Sequence, residues 1–458
     1  MIVRALVRGT LALYRAASRA ATPLARAYLH RRRRKGREDA ARVGERLGQT
    51  GLARPERPVV WLHAASVGEA LSVLPLVERI RGRWPDLQLL MTTGTVTSAR
   101  LMAERLPEGV LHQFAPLDLA PAVERFLDHW RPRLGLLIES EFWPNLMLGA
   151  RTQGCDLALI NGRMSPASYA SWRRIRPAIS YLLEQFSMIL AQSPQDQQRF
   201  SDLSARDAQF VGNLKFAGPA LRADKKELAT LERALEGRPL WLAASTHAGE
   251  ESIVGQAHRA LAADFPGLVT LLVPRHPERG PEIAALLRAD GLKVSQRSLG
   301  EAPAPGTQIY LADTIGELGL WYRMAEVVFM GKSLVPKGGQ NPLEAAKLGC
   351  AILAGPHCDN FKQVTREMLA AGALGQVADG AALTSAVGRL LADPEIRESM
   401  AAAGLSYGMA QSGVLDRFVE ALTPYLDRAA GGAPTAPATR TFTAGLVAGG
   451  QRENRART

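Results

Sequence analysis

Over most of the chain, short apolar runs alternate with stretches in which apolar residues recur every three or four positions. That alternation predicts parallel strands connected by helices. Strands are expected at Val59–Leu62, Leu87–Met91, Leu134–Ile138, Leu157–Ile160, Met188–Ala191 and Gln209–Val211. After a charged helix at Lys225–Leu235, a second series follows at Leu240–Ala243, Val269–Val273, Lys293–Ser295, Ile309–Leu311, Val327–Met330 and Ala351–Ala354. Two such series joined near residues 217–238 imply an α/β protein of two Rossmann-like domains facing a cleft, and 458 residues suit two cores better than one. The expected bodies are 36–220 and 221–428. Helical patterns at Leu383–Leu391, Ile396–Ala403 and Val414–Tyr425 close the second, with the option of crossing back to the first. Residues 429–458, rich in Gly, Ala, Pro, Thr and Arg, read as a disordered tail.

Charge changes the picture only at the amino end. The net charge is +12, but residues 1–46 hold thirteen Arg or Lys against three acids, whereas 47–428 hold 39 against 40. A neutral body argues against a nucleic-acid channel, so no nucleic-acid partner is expected. Arg4, Arg8, Arg15, Arg19 and Arg26 fall within an arc of roughly 60° on a helix, while Ile2, Val3, Leu6, Val7, Leu11, Leu13 and Tyr14 lie mostly elsewhere. The segment has no uncharged window long enough to span a bilayer. Residues 1–35 therefore read as an amphipathic, membrane-anchoring helix lying on an anionic surface, with Arg31, Arg32, Arg33, Arg34 and Lys35 at the headgroups and the basic run favouring the cytoplasmic side. The alternative is a basic helix packed on its own protein. On the membrane reading, loss of residues 1–30 leaves the body folded. The three cysteines, Cys155, Cys350 and Cys358, form neither C-x-x-C nor a zinc spacing, and point to a reducing compartment.

Candidate chemistry begins at the turn after the first strand. Ser66, Val67, Gly68 and Glu69 separate that strand from the helical pattern Ala70 onward, so they lie where open α/β sheets bind ligands, with Gly68 leaving the backbone accessible. Ser66 and Glu69 also fit a capping box, and spacing alone leaves a cleft carboxylate and a helix cap equally open. In the second half, Gly338, Gly339 and Gln340 lead into Asn341, Pro342, Leu343 and Glu344, which suit N-cap, N1, N2 and N3 of a helix; a phosphate site and a well-capped helix share those residues. Arg275 and His276 emerge after the strand ending at Val273, and Glu139, Ser140 and Glu141 after the one ending at Ile138.

The string HAASVGEA, with Thr92-Thr93-Gly94-Thr95 after the next strand, resembles the amino-terminal half of the Kdo transferases. These are inverting glycosyltransferases that attach 3-deoxy-D-manno-octulosonic acid (Kdo) to the lipid A precursor. GGQNPLEAAKLG resembles the family's donor motif, and the likeness covers about residues 36–425, including Gly36, Glu45, Arg46 and Gly48. It implies the GT-B fold, CMP-Kdo as donor, the lipid A precursor as acceptor and the cytoplasmic face of the inner membrane. It also implies Glu69 as general base, with Glu139 and Lys215 supporting the transition state. Arg275, His276, Ile315, Gly316, Glu317, Asn341, Pro342, Leu343 and Glu344 would contact CMP. Ser66, Gly68, Thr93, Gly94, Asn161, Arg163, Ser245, Gly338, Gly339 and Gln340 would line the cleft. Ser245 and His247 alone suggest a hydrolase, but there is no G-x-S-x-G elbow, and without H-E-x-x-H or D-x-D no metal or cofactor is implied. Rival readings are another GT-B nucleotide-sugar transferase, a nucleotide-sugar epimerase, and a noncatalytic membrane- or RNA-binding protein using the basic end.

Overall fold

A computed structural model of the chain describes residues 2–431 apart from 205, 219 and 337; from residue 432 onward, the expected tail lies outside the described residues. Two seven-stranded parallel sheets form the two domains. The first contains β1 (Val59–Ala64), β2 (Gln88–Thr93), β3 (Leu111–Phe114), β4 (Leu134–Ile138), β5 (Asp156–Gly162), β6 (Met188–Ala191) and β7 (Gln209–Phe210), in the order β3-β2-β1-β4-β5-β6-β7. The second contains β8 (Leu240–Thr246), β9 (Val269–Pro274), β10 (Val294–Gln296), β11 (Ile309–Leu311), β12 (Val327–Met330), β13 (Ala351–Ala354) and β14 (Gly375–Gln376), in the order β10-β11-β9-β8-β12-β13-β14.

β1 shows why the apolar runs become central strands. All six of its residues are buried: Val60, Leu62 and Ala64 face one core, while Val59 and Trp61 face the other. The Trp61 ring meets Phe126 edge-on at 5.4 Å, and its N–H donates to Thr92 Oγ1 at 2.8 Å. Gly135 on β4 makes room for that indole, since a Cβ there would lie 3.0 Å from Trp61 and 2.7 Å from Leu157. The sequence reading missed β3 and β14. Both are short edge strands, β3 reading Leu-His-Gln-Phe and β14 only two residues long, so neither carries an apolar run.

Two boundaries differ from expectation. The terminal helix Val414–Ala430 starts in the expected second domain, 221–428, and runs two residues into the expected tail, yet it completes the core of the first domain: Val414, Phe418, Leu422 and Leu426 are fully buried beside Leu62, Val77 and Leu136. Trp84 donates to Asp427 at 2.8 Å, and Arg133 to the carbonyl of Ala429 at 3.0 Å. The amino-terminal helices α1 (Ile2–Ala20) and α2 (Thr22–Arg34) are also docked on the first domain. Arg4 pairs with Glu184 at 3.1 Å, and Arg15 with Glu124 at 2.7 Å, so much of the arginine stripe grips the protein's own acids. The buried Ser18 hydroxyl accepts from Ala120 N–H and Asn145 Nδ2, both at 3.1 Å, and Tyr14 donates to Asp118 at 2.9 Å. Removing residues 1–30 would strip partners from a buried polar group, so the expectation of an undisturbed body gives way to one of local damage.

Both sheets have the same switch in strand order. β1 and β4 are neighbours whose following connections part to opposite sides, as are β8 and β12. The crevice at the carboxyl ends of such a pair is where this fold places ligands.

Phe418→Ala should destabilise the first domain by about 3–5 kcal/mol, the cost of emptying an aromatic site in a packed core. Urea denaturation followed by tryptophan fluorescence measures it. A wild-type midpoint would detach the terminal helix from that core.

Candidate functional site

Glu69 stands at the first crevice. α3 (Val67–Arg83) starts at the Ser66 N-cap, whose hydroxyl accepts from Glu69 N–H at 3.3 Å. The Glu69 carboxylate accepts from Ala65 N–H at 2.8 Å through Oε2 and from the Ser66 hydroxyl at 2.8 Å through Oε1. The cap is therefore built, and it fixes the carboxylate at the mouth of the turn. Burial raises the Glu69 pKa above the ordinary carboxylate range; the two hydrogen bonds oppose this, while the negative charges of Glu139 and Glu141 add to it. The net direction is up, which makes Glu69 a stronger base than an ordinary carboxylate.

Glu139 begins the turn after β4, across the same crevice. It is 6% exposed and sits at φ 62°, a left-handed conformation that an ordinary side chain adopts only under constraint. Lys215 Nζ lies 2.6 Å from Glu139 Oε1 but off the direction of a hydrogen bond, so the contact is an ion pair. Lys215 is placed by backbone bonds: Asn161 Oδ1 accepts from Leu214 N–H at 2.9 Å, and Asn213 Oδ1 accepts from Lys215 N–H at 3.0 Å. Asn161 thus positions the lysine instead of lining the cleft; it is fully buried, at φ 52°. Glu141 is held by His63 at 3.6 Å and by the indole N–H of Trp143. Burial pushes its pKa up, but those two partners outweigh it and the net direction is down.

The second domain faces this corner. One cavity of about 460 Å³ is lined by Gly68 and Lys215 from the first domain and by Ser245, Arg275, Gln340, Asn341 and Glu344 from the second. Ser245 is the next-to-last residue of β8, at φ 57°, and Arg275 follows β9. Asn341 caps a five-residue helix, accepting from Leu343 N–H at 3.2 Å, and donates to Glu344 at 3.3 Å. Burial raises the pKa of Glu344, while Asn341, Arg275 and Lys347 hold it down. Below this wall, Glu250 is fully buried and accepts four backbone N–H bonds, from His247, Lys332, Ser333 and Leu334, at 2.6–3.0 Å. It ties the loop after β8 to the loop after β12.

Several expected site residues lie elsewhere. Thr93 is buried and its hydroxyl meets His112 Nε2 at 3.0 Å, away from the cleft. Gly94 is there for packing, since a Cβ would approach Ala65 O to 2.8 Å. Gly338 and Gly339 pack closely on Lys332 and Cys358, with Cβ positions 1.6 and 2.8 Å from backbone atoms, and neither lines the shared cavity. Pro342 and Leu343 are buried beneath the helix they start. Ile315 and Glu317 line a separate cavity of about 550 Å³, where Arg297 takes the Glu317 carboxylate in a two-point grip and holds its pKa down; Gly316 turns the loop at φ 89°. His276 is on the rim, exposed, its ring 5.6 Å from His247. Residues that sequence reasoning missed include Leu71, Ser72, Leu318, Tyr322, Met330 and Phe361, which complete the shared cavity as ordinary apolar or small side chains with no chemical signature.

Comparison with known proteins was made against this geometry. A family model described as "3-Deoxy-D-manno-octulosonic-acid transferase (kdotransferase)" matches residues 41–218. A probable mitochondrial 3-deoxy-D-manno-octulosonic acid transferase from Arabidopsis thaliana is 37% identical over 84% of this chain and 89% of its own. The transferase of the same description from Bordetella pertussis is 36% identical over 90% and 99%. Among solved structures, a UDP-GlcNAc 2-epimerase from Neisseria meningitidis covers 80% of this chain and 99% of its own at a TM-score of 0.54 and 13% identity, a likeness of fold alone.

The charges around Glu69 predict a pH effect. A carboxyl group whose folded pKa is raised stabilises the fold below its unfolded pKa, and that contribution is lost as pH rises through the folded value. Activity that needs ionised Glu69 runs the other way, falling as pH drops through the raised pKa. Glu141→Gln removes one repelling charge and should move the acid limb of the kcat/KM profile to lower pH. A limb that stays in place would remove Glu141 from the electrostatics of this site.

Proposed function

Because the chain belongs to the 3-deoxy-D-manno-octulosonic acid transferase family, we propose that it transfers Kdo from CMP-Kdo to the lipid A precursor, with inversion, at the cytoplasmic face of the inner membrane. The observation that carries this reading is the meeting, in one cavity, of Lys215, paired with Glu139, and Gly68, next to Glu69, with Arg275 and Asn341 of the second domain. Arg275 offers a guanidinium fork to the CMP phosphate, and Asn341 presents its amide beside it. Lys215 neutralises charge on the sugar's carboxylate or on the departing phosphate, with Glu139 holding it in place. The acceptor hydroxyl oxygen attacks the anomeric carbon on the face opposite CMP. Its bond forms as the bond to the phosphate oxygen breaks, CMP leaves with the electron pair, and Glu69 takes the hydroxyl proton. A base on one side and a leaving-group site on the other are what single displacement needs.

The amino end supports the membrane part of the proposal. With Arg4, Arg15 and Arg19 turned onto Glu184 and Glu124, the other flank of α1 and the outer side of α2 leave Val3, Leu6, Leu13, Leu24 and Tyr28 exposed at 54–74%. Arg31, Arg33, Arg34 and Lys35 are exposed at the end of α2. No helix among the described residues is long and apolar enough to cross a membrane. An apolar flank beside a basic cluster suits a surface-lying helix on anionic lipid.

Two experiments test these parts separately. Glu69→Gln keeps the cap, because the amide oxygen accepts from Ala65 and the Ser66 hydroxyl can turn to accept from the amide nitrogen. Turnover should fall roughly 10²–10⁴-fold with melting temperature and CMP affinity nearly unchanged. Near-wild-type single-turnover transfer to the lipid A precursor, read by mass analysis, would leave Glu69 as a cap alone. For the membrane, Leu6→Asp with Leu13→Asp should lower sedimentation with anionic vesicles by at least about tenfold. Unchanged partition would refute the surface contact.

A further inference from the structure

Lys347 follows the five-residue helix Pro342–Ala346, and no step of the transfer chemistry uses it. It is half-buried and lies outside the walls of the shared cavity. Its ammonium reaches across to the segment that leaves the first domain, donating to the carbonyl oxygens of Phe216 at 2.6 Å and Gly218 at 2.5 Å. Both are charge-assisted bonds, between groups 131 and 129 residues apart in the chain. Holding a four-carbon stem in one conformation costs rotamer entropy, and here packing offsets it. The stem lies against the helix Pro394–Ser412, where the buried Gly408 leaves room for it: a Cβ there would stand 3.0 Å from Lys347 Cγ.

What this lysine holds is the other lysine. Leu214–Phe216 form one short turn of 3₁₀ helix, gripped from opposite sides. From the first domain, Asn161 Oδ1 accepts from Leu214 N–H. From the second, Lys347 takes the Phe216 carbonyl, and the Phe216 ring stands 6.4 Å from that of Phe361. Lys215 is the residue between the two grips, so its backbone is fixed relative to both domains. The helix before Lys347 faces the cleft with its other end: Asn341, its N-cap, and Glu344, in its first turn, line the shared cavity together with Lys215 and Arg275. From Asn341 to Lys347 the rise is about 9 Å, less than two helical turns. Glu344 and Lys347 also favour each other's charged form, against the burial that opposes both.

We infer that Lys347 is a positioning residue for the transfer step: it holds the Lys215 backbone in register with the helix on the donor wall, so one short element sets both the seat of the departing phosphate and the cation that neutralises it. The inference rests on the Kdo-transfer reading, in which Lys215 acts on the donor's charge, and deepens it by naming what fixes that lysine against the second domain. Without the ammonium, the Phe216 and Gly218 carbonyls lose these donors, and the Lys215 turn loses its polar anchor to the second domain. Misplacing a reacting group by about 1 Å costs up to about 100-fold in rate, without any loss of ground-state binding being required.

The test uses the full-length protein with CMP-Kdo and the lipid A precursor. Lys347→Met keeps the apolar stem and removes the N–H donors; kcat should fall roughly 10–100-fold, with the calorimetric affinity for CMP and the acceptor KM within about twofold. Lys347→Arg, which can donate to both carbonyls, should recover most of the loss. Should Lys347→Met not fold, Lys347→Gln, an uncharged amide on a shorter stem, takes its place in every comparison. In a Lys215→Met background, Lys347→Met should cost less than about twofold more, because both act through one cation. A kcat within about twofold of wild type in Lys347→Met overturns the inference, and so do losses that multiply in the double variant or a CMP affinity that falls in step with kcat. Each of these would leave Lys347 as a prop of the domain interface alone. Failure of the underlying reading looks different: wild-type protein would release no CMP from CMP-Kdo in the presence of the precursor, or Lys215→Met would turn over at the wild-type rate.

Discussion

The Glu139–Lys215 ion pair is the contact on which the cleft depends. A carboxylate this deeply buried costs several kcal/mol without a partner, and the lysine that supplies one comes from the segment leading out of the first domain. Its placement in turn requires Asn161 and Asn213, whose side-chain oxygens fix the backbone of Leu214 and Lys215. The pair joins the wall of a first-domain cavity of about 370 Å³, lined also by Trp143 and Trp172, to the wall of the shared cavity, so a single 2.6 Å contact sets the separation between the two.

Conformational strain marks the same corner. Glu139, Asn161, Ser245 and Lys332 hold left-handed backbone conformations without being glycine, and each lies at the carboxyl end of a strand near one of the two switch points. Such conformations persist only where surrounding bonds over-determine them. Here the bonds are visible: Glu139 N–H donates to Ile160 O, Arg163 N–H donates back to Glu139 O, and Lys332 N–H donates to the buried Glu250. The first domain spends strain on turning a carboxylate inward, and the second on drawing two loops together.

Much of this was legible in the sequence, because central parallel strands are written as continuous apolar runs and the turns after them carry polar residues at fixed positions. Glu69, Glu139, Arg275 and Asn341 were marked in that way, and Lys215 by the family resemblance alone. What escaped was set by packing across long separations. The Leu-His-Gln-Phe strand reads as polar because it is an edge. Glycines 338 and 339 left a phosphate loop and a well-capped helix equally open, and the need for glycine there became visible only in the fold, where the carbonyl of Lys332 and the backbone of Cys358 take up the space their missing side chains leave. The arginine stripe of α1 was visible, but the acids that receive it lie more than a hundred residues away. Trp172 had no local signal at all; it shares a cavity wall with Trp143, from the connection after β4, and with Arg163, from the start of its own connection after β5.

The return of the terminal helix has a mechanical consequence. The chain passes between the domains once near residue 217 and again at Gly413, and the two passages touch: a Cβ on Gly212 would lie 2.5 Å from Val414, and Arg417 donates to the carbonyl of Val211 at 2.9 Å. Lys347 pins the first passage by donating to the carbonyls of Phe216 and Gly218 at 2.6 and 2.5 Å. A single tether would let the domains slide or part. Two tethers seated side by side act as an axle, so the low-cost relative motion is a swing about that line, which opens or narrows the cleft while Lys215, close to the pivot, travels least.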